Sequence, residues 1–252
     1  MVFHLRNVLT ACAVMAFVSQ AQAENALVAV AANFADTAKQ IESAFEAGNA
    51  HQIDITTGAT GKLYAQIKEG APFDAMLSAD QNVPEKLIVE KLAVAGSDFT
   101  YGVGKLALYS SDPKMLDGKD GAQFLATGSY RHLAIANPEL APYGAAADAF
   151  LKNLFLKAEI ADRLVTGENI GQTFTMVQTG AAELGFVAYS QVLKDGQSGS
   201  FWLVPPSTYP AIKQDAVLLK HGENNEAAKA FFAFLKTEAA LAIMKTHGYD
   251  QK

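Results

Sequence analysis

Cysteine is nearly absent from this chain of 252 residues: there is one, Cys12. It falls in a leader-like N-terminus, so the chain beyond residue 23 has no thiol to form a disulfide, bind a metal or act as nucleophile. Internal repeats, low-complexity tracts and charged runs are also missing, and beyond the N-terminus no apolar run is long enough to span a bilayer. None of His51, His132, His221 and His247 stands at two-histidine metal spacing, which removes the sequence case for zinc or iron. Positive charge is in deficit, with 20 Lys and Arg against 26 Asp and Glu and a net charge of −6. That balance argues against nucleic acid or anionic lipid as partner, since both reward basic patches. It leaves an anionic ligand open, because a buried site senses local dipoles more than summed charge.

What is present begins with an export signature. Met1 to Asn7 carries one fixed positive charge, Arg6, and no acid; Val8 to Val18 is an almost unbroken apolar run. Ala21-Gln22-Ala23 then supplies the small-x-small pattern of a cleavage site, so residues 1–23 read as a secretory signal peptide cut after Ala23, with a periplasmic product. The rival, a lipoprotein box at Leu9-Thr10-Ala11-Cys12, would leave almost no apolar stretch before it and strand one after it. The remaining stretch of about 230 residues is long enough to bury one large or two small cores.

Short apolar β-rich segments alternate with helical ones. Leu27–Ala31, Gln52–Thr56 and Phe73–Leu77 read as strands, with helical spacing over Phe34–Glu46, from Leu63 and over Pro84–Lys91. A second alternation follows: strands at Lys105–Tyr109, His132–Ala136 and Leu184–Ala188, helices over about Gly144–Leu156 and Thr173–Thr179. Ala216–Leu219 is a late strand, and Asn225–Thr246 reads as one closing amphipathic helix. The expectation is an α/β protein of two lobes with parallel sheets wrapped by helices, residues 24–104 plus 209–252 forming lobe 1 and 105–208 lobe 2.

Three places share one form, a strand end followed by a small or hydroxyl residue and a helix start. They are Ala31-Ala-Asn-Phe34, Thr57-Gly-Ala-Thr-Gly-Lys-Leu63 and Asn137-Pro-Glu-Leu-Ala-Pro-Tyr-Gly144. A helix N-terminus offers unpaired N–H groups and the positive end of the peptide dipoles, and so holds an anion without a cationic side chain. Asn33, Thr60 and Tyr143 can each add a side-chain donor. Each loop alone is more often an ordinary cap than a binding loop; three in succession point to a shared crevice.

Enzyme readings are weaker. Gly58-Ala-Thr-Gly-Lys62 fails the spacing of a nucleotide phosphate loop. Asp74, Asp80, Asp148 and Glu168 could serve a hydrolase, with Asp74 or Glu168 foremost, yet nothing in their spacing pairs them.

With these segments in hand, the chain resembles the periplasmic molybdate-binding proteins of molybdate ABC importers. The resemblance runs through Val30–Phe34, Thr57–Leu63, Gly70–Asp74, Leu77–Asp80, Ala136–Gly144, Gly167–Gln172 and Gly180–Val187, in that order. It implies a type II two-lobe periplasmic binding fold, with the oxyanion in the interlobe cleft held by neutral hydrogen-bond donors. It further implies no catalysis, no cofactor, molybdate or tungstate as transported ligand, an inner-membrane ABC permease as partner, and a monomer. Carried over by position, it places Asn33, Thr60 and Tyr143 at the ion, with Ile170 giving a backbone amide. Many relatives have serine where Asn33 and Thr60 stand, and some have a tyrosine where this chain has Ala188 followed by Tyr189, which leaves Tyr189 without an assigned role.

Overall fold

The computed structural model describes residues 23–194, 196 and 198–251. Residues 1–22, which hold Cys12 and nearly all of the expected signal peptide, lie outside the described residues. In chain order the elements are β1 (Asn25–Ala31), α1 (Ala35–Glu46), β2 (Gln52–Gly58), α2 (Thr60–Lys68), β3 (Ala75–Leu77), α3 (Asn82–Val89), β4 (Phe99–Gly104) and β5 (Leu106–Ser110). There follow α4 (Gly121–Thr127), β6 (Leu133–Ala136), α5 (Pro142–Asn153), β7 (Leu164–Gly167), α6 (Ile170–Gln178), β8 (Leu184–Ala188) and α7 (Tyr189–Lys194). The last are β9 (Ser200–Leu203), β10 (Ile212–Leu218), α8 (Glu226–Phe234) and α9 (Glu238–Thr246).

Two five-stranded sheets result, ordered β2-β1-β3-β10-β4 and β7-β6-β8-β5-β9. Each makes the core of one lobe. The sheets are mixed rather than parallel: β2-β1-β3 and β7-β6-β8 run parallel, while β10 and β4, and β5 and β9, pair antiparallel. Helical crossovers enforce the parallel part, whereas β10 arrives after the second sheet is complete and inserts between β3 and β4 from the opposite direction.

Alternation along the strands sends side chains to both faces. In β5, Leu106 and Leu108 join Phe150 and Leu151 of α5, while Ala107 and Tyr109 join Phe174 and Val177 of α6. In the first sheet, Val28 and Val30 pack with Ile41 and Phe45 of α1 and with Phe231 and Met244 of the C-terminal helices. Met76 and Val217 meet Leu63 and Ile67 of α2 on the other face. Fully burying each such side chain contributes about 1.5–3 kcal/mol.

The C-terminal segment departs from expectation. It is two helices: α8 ends at Phe234 with Leu235 as its C-cap, and Thr237 caps α9, its hydroxyl accepting from Ala240 N at 3.4 Å.

Candidate functional site

Four helix starts meet where the lobes face each other. β1 runs into a 3-10 turn, Ala32–Phe34, and then α1; β2 runs through Ala59 into α2. Across the cleft, β6 leads through Ala141 into α5, which has Pro142 in its first turn, and β7 leads through Asn169 into α6. The starts line a single cavity with Ala31, Ala32, Asn33, Gly58, Ala59 and Thr60 on one side, and Ala141, Pro142, Tyr143, Asn169 and Ile170 on the other. Ala79 completes the lining, and none of these residues is charged. About 10 Å³ is open to the centre of a water-sized sphere, which makes a hollow roughly 5–6 Å across once the sphere's own radius is added.

First-turn amides have no partner four residues back. Thr60 and Ile170 each open their helix and Tyr143 stands second in its own, so their N–H groups are available at the cavity. The Thr60 hydroxyl accepts from Ala79 N at 3.2 Å, which leaves its own proton to donate. The structure thus brings Asn33, Thr60, Tyr143 and Ile170 to one hollow, all four buried. Ala32 joins them. Ala188 and Tyr189 do not line it; their amides donate to Gln191 Oε1 at 2.9 Å and Lys105 O at 2.9 Å.

Two of the four side chains have other partners. Both hydrogens of Asn33 Nδ2 are committed, to Gln214 Oε1 at 2.8 Å and to the Tyr249 hydroxyl at 3.1 Å. The Tyr143 phenol oxygen accepts from Gln214 Nε2 at 3.2 Å. Burial, reinforced by neighbouring Tyr249, pushes the Tyr101 and Tyr143 phenols well above the usual range, and burial pushes Tyr249 up to about 12. All three stay protonated through physiological pH. Sequence reasoning missed this network of Gln214, Tyr249, Tyr101 and Ser190, because contacts between residues so distant in the chain leave no periodic trace. Ile170 came from the resemblance alone, although Asn169 followed by Gln172 is a capping signal: Asn169 Oδ1 accepts from Gln172 N at 3.0 Å.

The lobes touch around the cavity. Gly61 N donates to Leu140 O at 2.9 Å, and Ser190 Oγ donates to Asn33 O at 3.1 Å. Exposed ion pairs flank them, Lys62 with Glu168 at 2.8 Å and Lys194 with Asp36 at 2.6 Å. The candidate hydrolase carboxylates lie elsewhere. Asp74 accepts from Leu27 N at 2.7 Å and faces His221 Nδ1 at 2.8 Å, and Asp148 pairs with Lys152 and Lys157. Neither they nor Glu168 line the hollow.

Comparison with known proteins matches residues 26–250 to the family described as bacterial extracellular solute-binding protein. The chain belongs to this family. Among relatives of this solute-binding protein, the molybdate-binding protein ModA of Rhodobacter capsulatus is 47% identical over 237 residues, covering 94% of this chain and 92% of the relative. The molybdate-binding protein ModA of Azotobacter vinelandii is 46% identical over 251 residues, covering 99% of each. The solved Azotobacter vinelandii periplasmic molybdate-binding protein superposes with a TM-score of 0.86 at 37% identity, over 90% of this chain and 99% of that one.

Proposed function

We propose that this chain captures molybdate in the periplasm, without chemistry, and delivers it to an ABC importer in the inner membrane. The observation that carries the reading is the meeting of four helix starts on one small uncharged cavity. A fully deprotonated tetrahedral dianion has acceptors only, so oriented N–H and O–H groups can replace its water, aided by four positive dipole ends. Charge neutralisation by lysine or arginine is unnecessary in such a place. The relatives named above, similar over almost the whole chain, bind molybdate by name.

The finer assignment follows the same logic. Asn33, Thr60, Tyr143 and Ile170 hold the oxyanion, chiefly through backbone N–H, with the Thr60 hydroxyl as an added donor. Tungstate, of the same charge and shape, is accepted too. A protonated oxyanion such as phosphate brings a donor that this set of donors leaves unmatched, a penalty of roughly 1–3 kcal/mol. Sulfate escapes that filter and is rejected by size. The lobes are 24–104 plus 209–252 and 105–208, working as a monomer after removal of residues 1–23, and their closure over the ion presents one face to the permease.

Calorimetric titration of the purified chain against molybdate, tungstate, sulfate and phosphate tests the reading. The expected result is saturable binding of one molybdate or tungstate per chain, with sulfate and phosphate far weaker. Tight phosphate binding, or turnover of a phosphate ester, would overturn it.

A further inference from the structure

One side chain reaches the cavity-facing starts of both lobes. Gln214 is wholly buried on β10, beside the irregularity where pairing with β4 slips between Gln214 and Asp215. A bulge of this kind re-aims the side chains beside it. Gln214 Oε1 accepts from Asn33 Nδ2 at 2.8 Å and from the Tyr101 hydroxyl at 2.9 Å, both in the lobe of the first sheet. Its Nε2 donates to the Tyr143 phenol at 3.2 Å, in the other lobe. Bare backbone at Gly104 makes the meeting possible, because a Cβ there would collide with the Tyr143 phenol oxygen and lie 2.5 Å from Gln214 Nε2.

We propose that Gln214 is a positioning residue for anion capture, setting the start of α1 against the start of α5 at the spacing that the ion requires. The inference rests on the molybdate reading of the cavity. Its physical basis is the division of Gln214's bonds. Those to Asn33 and Tyr101 are internal to one lobe and are kept whatever the other lobe does. The bond to Tyr143 crosses between lobes and is complete only when they are together. Gln214 therefore acts on the closed, ion-holding state, where losses emerge as faster release rather than slower association.

The test is a double-substitution cycle on the full chain, read by calorimetry and stopped-flow release of molybdate. Gln214→Leu is expected to weaken molybdate binding about ten-fold, mainly through the release rate. In a Tyr143→Phe background, where the phenol that Nε2 addresses is gone, the same change should cost at most about two-fold. Gln214→Glu keeps the shape but adds a negative charge close to the bound dianion, so it should weaken binding further whether or not the phenol is present. Gln214→Met, of similar length and without a donor, takes the place of Gln214→Leu in the cycle if the leucine variant does not fold. A residue that only supports the fold would lower the unfolding temperature without this dependence on Tyr143. Unchanged affinity in the Gln214→Leu or Gln214→Met variant, or a loss equal with and without the Tyr143 phenol, would overturn the inference while leaving wild-type molybdate binding intact. A wild-type chain that ignores molybdate would instead remove the reading beneath it.

Discussion

The two lobes are one architecture built twice with different means of presenting donors. In each, an inner strand and its parallel edge neighbour, β1 with β2 and β6 with β7, run into helices that begin at the cavity. The first lobe adds a hydroxyl, Thr60, to its backbone amides. The second lobe has Ala141-Pro142-Tyr143 and Asn169-Ile170 there, and its offer is backbone N–H from helix starts set closely against their strands. A lobe that relies on backbone alone must fix that backbone. Gly144 shows how: a Cβ there would collide with Ala136 O and lie 2.7 Å from the Ala136 carbonyl carbon, so α5 packs on the end of β6 without a side chain between.

The sharpest way to break the second lobe is therefore Gly144→Ala. The added methyl must displace the helix start from the strand, at a cost of about 3 kcal/mol. Thermal unfolding should show that loss, and molybdate binding should fall with it because the Tyr143 amide moves. In the first lobe, Thr60→Ala strikes the ligand instead. A hydrogen bond to a charged group contributes about 1.5–3 kcal/mol, so affinity should drop about ten- to hundred-fold. Stability should change by about 1 kcal/mol, from the Ala79 amide that loses its acceptor. Thr60→Ser keeps the hydroxyl and should bind nearly as wild type in the same titration. If Gly144→Ala and Thr60→Ala behaved alike in both measurements, the contrast between the lobes would fail.

These contrasts also explain what the sequence could disclose. Periodicity located β1, β2, β8 and the main helices because burial on one face leaves a repeat of fixed length. Asn33 and Thr60 stood out because donors at helix starts are local chemistry. The strands β4, β7 and β9 escaped, since β4 carries two glycines and β7 and β9 are mostly part-buried, without the fully buried apolar run of the equally short β6. Tyr143 was legible as a donor at a helix start, yet its phenol bonds Gln214, 71 residues away. No local pattern records a partner so distant, and a still greater separation of 216 residues hid Tyr249 from the reading of Asn33.

The buried tyrosines where the lobes meet give a third contrast, in pH. Tyr249 is raised to about 12 by burial, against about 10 in an unfolded chain. The unfolded state loses that proton first, so the group's contribution is whole below pH 10 and disappears as pH rises through about 12. Two units correspond to a loss of about 2–3 kcal/mol. Denaturant unfolding should show stability insensitive to these phenols up to pH 9 and falling above pH 10, with Tyr249→Phe flattening the fall. A smaller effect belongs to Gly61, whose Cβ would lie 3.1–3.3 Å from Leu140 across the cleft. Gly61→Ala leaves the interior of its own lobe untouched, so it should weaken molybdate binding about five-fold and shift unfolding little.

The smallest effect is expected where the lobes are joined by charge. Lys62 with Glu168 and Lys194 with Asp36 bridge the cleft on its exposed rim, their side chains 46–64% accessible. Water screens such pairs and holding two long side chains together costs entropy, so each is worth little. They differ from the cavity donors in a second respect, because salt screens them over a Debye length of about 8 Å at physiological ionic strength. Replacing Lys62 or Lys194 by alanine should weaken molybdate binding by no more than about three-fold at low salt. The difference from wild type should vanish near 1 M sodium chloride, whereas the deficit of Thr60→Ala should persist there. A Lys62→Ala loss as large as that of Thr60→Ala, unaffected by salt, would mean that rim charge rather than enclosed neutral donors secures the ion.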